Sequence, residues 1–132
     1  MTIASSVVDD VIAHTRECVP RECCGVLIGK SDRILMAIRA RNVADSPTRF
    51  LLDPKDHLDA RRTARTQGLE VIGFYHSHPH SRAYPSDTDL AEAAYPECVH
   101  VIVGFIEGRP EVRIFNYAHG RAVELAHTLL DS

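Results

Sequence analysis

Between Ser5 and Glu17 the apolar residues Val7, Val8, Val11 and Ile12 recur at i, i+1, i+4 and i+5, which places them on one side of a helix. Pro20 ends any such helix. The next run, Cys23–Gly29, is short, apolar and bounded by glycine, and it predicts a buried strand. Ser31-Asp32 makes a turn, and Arg33–Val43 reads as a second strand paired with the first in a hairpin. Asp45–Pro47 is a loop, and Thr48–Leu52 reads as a third short strand. Asp53 at an N-cap and Pro54 at the first helical position open a helix that runs to about Gln67, where Gly68 stops it. Glu70–Tyr75 is β-rich, and Pro85-Ser86 introduces a further helix from Asp87 to about Ala94. Cys98–Ile106 and Glu111–Tyr117 are two more strands, joined by the turn signal E-G-R-P. Ala122–Leu130 is a last short strand or helix.

Strands and helices alternate in the middle of the chain, with a hairpin at each end. The pattern predicts an α+β fold of the α/β-type three-layer kind, a mixed central β-sheet flanked by helices. No repeat, linker or low-complexity segment interrupts it, so residues 1–132 read as a single domain.

Composition narrows the function classes. Hydrophobic residues make up 45% of the 132 and charged residues 25%, the balance of an ordinary globular chain. A net charge of -3 argues against a nucleic-acid binder with a broad basic surface. The opening M-T-I-A-S-S-V-V-D-D lacks the basic region of a signal peptide, and apolar runs such as Val99–Ile106 are too short to span a bilayer. A cytoplasmic protein with no membrane partner is the expectation. Cysteines 18, 23, 24 and 98 form no C-x-x-C pair, so they read as reduced, buried thiols rather than a cysteine zinc site.

The chemistry concentrates in Gly73–Asp89, G-F-Y-H-S-H-P-H-S-R-A-Y-P-S-D-T-D. On an extended chain residues i and i+2 point the same way, so His76 and His78 face one point at the end of a buried strand that Pro79 stops. Two imidazoles there supply two metal ligands, and Asp89 on the first turn of the next helix is a candidate third. Catalytic zinc sites commonly use three protein ligands and keep a position open. Ser86 and Asp89 also fit a helix cap, Ser at N-cap and Asp at N3, and taken alone that reading is the stronger one. His80, Asp87 and His100 read as bystanders: a loop residue, a helix-start acid and a lone strand histidine. A zinc hydrolase also needs a carboxylate to shuttle the proton. The stretch has no glutamate, and spacing alone does not choose among Glu22, Glu70 and Glu92. Glu22 is attractive because it precedes the apolar strand in P-R-E-C-C-G-V-L-I-G.

Glu22 in that run, then H-S-H-P, six residues and S-x-x-D, resembles the JAMM metallopeptidases, the competent branch of the MPN-domain proteins. The resemblance spans about Val7 to Tyr117. It implies an MPN/JAMM fold resembling the cytidine-deaminase-like architecture, and one zinc ion per chain. His76, His78 and Asp89 match the ligands, and Glu22 matches the general acid/base. Ser86 matches the residue whose hydroxyl stabilises the oxyanion, a role compatible with capping. All five positions are filled. The spacing leaves little room for the insertions of the eukaryotic deubiquitinases, and the chain is similar to the small stand-alone bacterial and archaeal members. The resemblance therefore implies a peptidase or isopeptidase acting at the C-terminal tail of a ubiquitin-like, β-grasp sulfur-carrier protein, by trimming residues or releasing cysteine. Arg49, Phe50 and Leu51 in R-F-L-L-D-P resemble a segment near the active site and are the expected substrate contacts.

Two other readings compete. A non-catalytic MPN-type scaffold that binds a partner is disfavoured by the complete residue set. A nucleotide deaminase needs H-x-E followed by P-C-x-x-C, and here the motif is H-x-H with Pro96-Glu97-Cys98. The sequence leaves a homodimer open, along with the natural substrate and its pathway.

Overall fold

The computed structural model describes residues 1–131; Ser132, the last residue of the expected 1–132 domain, lies outside them. The chain runs β1 (Thr2–Ala4), α1 (Ser5–Cys18), β2 (Cys24–Lys30), β3 (Arg33–Ala40), α2 (Pro54–Thr66), β4 (Glu70–Ser77), α3 (Asp87–Ala91), β5 (Val99–Ile106), β6 (Arg109–Ala118), β7 (Arg121–Leu125) and β8 (Thr128–Leu130). The strands form one mixed sheet in the order β7-β6-β5-β4-β2-β3-β1-β8. The β2–β3, β5–β6 and β6–β7 pairs are antiparallel, and β4–β5 is parallel.

Alternation along the strands sorts the core into two faces. Leu27 of β2, Tyr75 of β4 and Val101 and Val103 of β5 pack with Val7 and Val11 of α1. Their strand neighbours Val26 and Phe74 turn the other way and meet Ala60 of α2. Helices therefore cover both faces, and the expected three layers are present. Each fully buried Val, Leu or Ile contributes about 1.5–3 kcal/mol. His76 lies two residues after Phe74, so it shares the α2 face.

The central pairing sets the site. β2 runs antiparallel to β4 with Cys24 opposite His76 and Gly25 opposite Tyr75. The beginning of β2 is thereby laid beside the end of β4. Gly25, in the run that starts at Glu22, is glycine for a reason of space: a Cβ there meets the Tyr75 ring and lies 2.6 Å from the Ile38 carbonyl oxygen. Tyr75 is itself held from the far side, by a 2.6 Å hydrogen bond between its hydroxyl and His14 Nδ1.

Three expectations need correction. Thr48–Leu52 is not a strand; only an isolated Asn42–Leu52 bridge forms. The Asn42 side chain does the work of a ladder: its Oδ1 accepts from Ala44 N and Leu51 N, and its Nδ2 donates to the Glu22 and Arg49 carbonyls. α3 stops at Ala91 rather than near Ala94, because Tyr95 turns left-handed (φ 57°) ahead of Pro96. The C-terminal segment is two short strands, and β1 joins β8 and β3 at an edge that no apolar periodicity announced. Cys23, Cys24 and Cys98 are buried free thiols as expected, while Cys18 is half-buried. Among the described residues no helix is long and apolar enough to cross a membrane.

Gly25→Ala forces the sheet apart at Tyr75, and we expect a loss of roughly 3 kcal/mol in unfolding free energy by urea titration, the upper range for overpacking. A loss below about 0.5 kcal/mol, the range of a neutral surface change, contradicts the packing described.

Candidate metal centre

His76 is the next-to-last residue of β4 and His78 the first residue beyond it, and both are buried. Their Nε2 atoms lie 3.2 Å apart. Asp89 on the first turn of α3 brings Oδ2 to 3.1 Å from His76 Nε2 and 3.0 Å from His78 Nε2. The helix start aims that carboxylate through a complete capping box: Asp89 N donates to Ser86 Oγ at 3.0 Å, and Ser86 N donates to Asp89 Oδ2 at 2.9 Å. Ser86 Oγ accepts in this pair, so its own hydrogen is free to donate elsewhere.

Glu22 completes the cluster from fifty-odd residues upstream. Ser77 N donates to the Cys23 carbonyl at 3.1 Å, and Cys23 N donates to Ser77 Oγ at 2.9 Å. The serine between the two histidines thus clamps the start of β2. Glu22 is pinned on both sides, its N–H donating to Ser46 O at 2.8 Å and its carbonyl accepting from Asn42 Nδ2 at 3.0 Å. A carboxylate oxygen of Glu22 and one ring nitrogen each of His76 and His78 lie within 4.8 Å of one another. Two three-membered donor sets therefore share the imidazole pair, one closed by Asp89 and one by Glu22. The Asp89 set is the tighter. Of the other glutamates, Glu70 sits at the exposed far end of β4, and Glu92 is exposed and paired with Arg49 at 3.0 Å.

The protonation states follow from burial and neighbours. His78 Nδ1 is 3.1 Å from the Arg82 carbonyl, which only accepts, so Nδ1 carries a hydrogen; Nε2 presents a lone pair when the ring is neutral and donates to Asp89 when it is charged. Burial pushes the Asp89 carboxyl up, but hydrogen bonds from His76 and His78 outweigh it and hold the group well below the carboxylate range. Burial pushes His76 down. His78 is also pulled down by burial, yet its hydrogen bonds to Asp89 and Arg82 and the nearby charges of Asp89 and Glu22 raise it overall. Glu22 is pushed up to about 7, chiefly by burial, with His78 lowering it and Asp89 raising it.

These donors fit a divalent ion. With the His78 ring neutral, its Nε2 lone pair faces a carboxylate oxygen at 3.0 Å, and two acceptors at that distance need a cation between them. A proton on His78 meets the need of one pair; a metal meets it for all three atoms at once. A tetrahedral ion about 2.0–2.1 Å from each ligand requires ligand atoms roughly 3.3–3.4 Å apart. The observed triangle of 3.0–3.2 Å is close to that, contracted by a few tenths of an ångström. Among the described residues Glu22 Oε1 is buried without a hydrogen-bond partner.

The surroundings hold this geometry. Gly104 on β5 lets the 81–83 loop press onto the sheet, where a Cβ would lie 2.5 Å from the Arg82 carbonyl carbon. Phe105 N donates to Ser81 O at 2.8 Å, and Glu111 accepts from Ala83 N at 2.8 Å and Arg82 Nε at 2.7 Å. The loop so fixed carries the carbonyl that orients His78. The Phe50 ring stacks on His76, centroids 4.3 Å apart at 19°. Arg49, Phe50 and Leu51 line a cleft of about 260 Å³ that opens beside His76 and Asp89. His80 and Asp87 are exposed, as bystanders should be. His100 is not at the surface: it is buried, stacked on Tyr117 at 4.3 Å, and lines the same cleft. Reading along the chain missed Ser77, Glu111 and Tyr117, whose parts depend on strand pairing; only His100, a histidine inside an apolar strand, carried a visible signal.

The family described as prokaryotic homologs of the JAB domain matches residues 4–117. The chain is 36% identical over 109 residues to a desampylase of Haloferax volcanii, covering 77% of this chain and 78% of the relative. It is 34% identical over 127 residues to the CysO-cysteine peptidase of Mycobacterium tuberculosis, covering 94% and 87%. The solution structure of a Desulfitobacterium hafniense protein superposes with a TM-score of 0.91 at 27% identity, covering 99% of this chain and 93% of that one. With that family match over residues 4–117, the chain belongs to the prokaryotic JAB-domain family.

Proposed function

We propose that the chain is a zinc-dependent peptidase or isopeptidase that hydrolyses an amide bond at or near the C-terminal tail of a ubiquitin-like, β-grasp sulfur-carrier protein. The observation that carries the reading is the convergence of four buried groups, His76, His78, Asp89 and Glu22, from three separate stretches of the chain. His76 Nε2, His78 Nε2 and Asp89 Oδ2 would hold one zinc ion per chain. Bound there, zinc supplies Lewis acidity, polarising a carbonyl and acidifying water.

The chain's own residues do the rest. Glu22, the remaining carboxylate, takes the proton from the attacking water and later gives it to the leaving amine, which serves both halves of amide hydrolysis. The Ser86 hydroxyl, its lone pair already used on Asp89 N, donates its hydrogen to the oxyanion that develops on the carbonyl. Phe50, stacked on His76, keeps water from one side of the site. Arg49, Phe50 and Leu51 form one wall along which a thin tail can lie, and the Arg49–Glu92 pair closes the rim. A desampylase and a CysO-cysteine peptidase among the relatives support a ubiquitin-like substrate. The site sits at the middle of a single sheet that takes in every strand, which supports one working domain over 1–132.

Two outcomes test the roles. Glu22→Ala should retain about one zinc per chain by elemental analysis while hydrolysis of a sulfur-carrier adduct falls by roughly 10²–10⁴-fold, the worth of general acid–base catalysis. Loss of the zinc in that variant would make Glu22 a ligand instead. Removing the metal with a chelator should abolish hydrolysis and added zinc should restore it, whereas Asp89→Ala should neither bind zinc tightly nor recover. A metal-free chain that cleaves the adduct at the full rate contradicts the reading, and one that binds carriers and never cleaves them is a scaffold.

A further inference from the structure

Glu22 lies outside the strand it leads into, since β2 begins at Cys24. Its side chain does not anchor it, because Oε1 is buried without a partner among the described residues. Its own hydrogen bonds are made by its backbone, and the segment 42–46 supplies both. Glu22 N donates to Ser46 O at 2.8 Å, and Glu22 O accepts from Asn42 Nδ2 at 3.0 Å. The same segment runs on into Arg49, Phe50 and Leu51, the wall of the cleft beside His76 and Asp89.

Asn42 joins the two. Its Oδ1 accepts from Ala44 N at 3.0 Å and from Leu51 N at 2.9 Å. Its Nδ2 donates to Glu22 O at 3.0 Å and to Arg49 O at 3.1 Å. A backbone N–H only donates and a carbonyl only accepts, so these partners fix which end of the amide is oxygen. All four hydrogen-bonding positions of the side chain are used. An asparagine that shapes a turn needs only the N–H two residues on, here that of Ala44. The bonds to Arg49 and Leu51 close the loop. The bond to Glu22 belongs to neither task and reaches out of the loop to the start of β2. Apolar burial holds the wall weakly, with Val43 46% and Leu51 51% exposed, and the Arg49–Glu92 pair is exposed as well.

We infer that Asn42 is a positioning residue: its one side-chain amide ties the backbone of Glu22 to the backbone of Arg49 and Leu51, so that a substrate segment seated on the cleft wall also fixes Glu22 against the bond to be cut. The inference rests on the peptidase reading above and adds a residue that is itself no part of the cleft lining.

Asn42→Asp is the informative change. It keeps the shape of the side chain and the oxygen that serves Ala44 N and Leu51 N. It turns the amino group into an oxygen that faces two carbonyls, which breaks the ties to Glu22 and Arg49. The zinc-loaded full chain and its Glu22→Ala variant are each assayed with and without this substitution, on one sulfur-carrier adduct. With Glu22 present, kcat should fall by about 10–100-fold, the range for a misplaced reacting group, while about one zinc per chain is retained. In the Glu22→Ala background the residual kcat should change by less than about twofold, because no proton-transfer group is left to misplace. Any change of KM through Arg49 should be the same in both backgrounds. Equal falls of kcat in both backgrounds, an unchanged kcat with Glu22 present, or loss of the zinc overturns the inference.

A second readout needs no turnover and no substitution of Asn42. In the zinc-loaded Glu22→Ala chain, which keeps the carbonyl of residue 22, adding the adduct should shift the ¹⁵N side-chain amide signal of Asn42. An unmoved signal overturns the inference even where Asn42→Asp fails to fold. A wild-type chain that binds the adduct without cleaving it sinks the peptidase reading, and the Asn42 signal then decides the coupling. A chain that neither binds nor cleaves it overturns both.

Discussion

The antiparallel pairing of β2 with β4 is the constraint on which everything else rests. It sets Cys24 opposite His76, and so delivers the residue two positions before Cys24 to the end of the strand that carries the imidazoles. A slip of β4 by one residue would turn Phe74 and His76 to the α1 face and destroy both the core and the site together. Three features resist that slip. Gly25 alone fits between Tyr75 and Ile38, Ser77 bonds back to the Cys23 amide, and the parallel β5 strand locks His76 opposite Ile102. Fold stability and the placement of Glu22 therefore come from the same contacts.

Burial then does the electrostatic work. The donors sit in a low-dielectric crevice where a lone pair opposite a carboxylate is unfavourable unless a cation intervenes. Asp89 remains ionised because two rings and the Ser86 amide point at it, whereas burial raises Glu22, whose Oε1 has no partner among the described residues, toward neutrality. Two carboxylates in one site are pushed apart in proton affinity by their surroundings, which assigns one to hold charge and the other to exchange a proton.

Much of this was legible along the chain, and the limits have physical causes. His76 and His78 follow from period-two alternation, and Asp89 from a helix start, because both signals are local. The S-x-x-D cap and the ligand reading turned out not to compete, since the capping box is the device that aims Asp89 Oδ2. Glu22 became identifiable only through the resemblance, because its position depends on strands whose contacting residues are 54 apart, Cys23 and Ser77. The 48–52 segment looked like a strand by composition, but Asn42 satisfies its backbone through a side chain and frees it to carry Phe50 onto His76. His100 was set aside as a lone strand histidine. What gives it significance is Tyr117 on the neighbouring strand, which no reading of a single segment brings together with it.

Anomalous diffraction from crystals of the zinc-loaded chain tests the central claim most directly. The account predicts one ion about 2.0–2.2 Å from His76 Nε2, His78 Nε2 and an Asp89 oxygen, with Glu22 nearby but outside bonding distance. An ion bonded to Glu22 in place of Asp89, or one bound away from the β2–β4 junction, would contradict it.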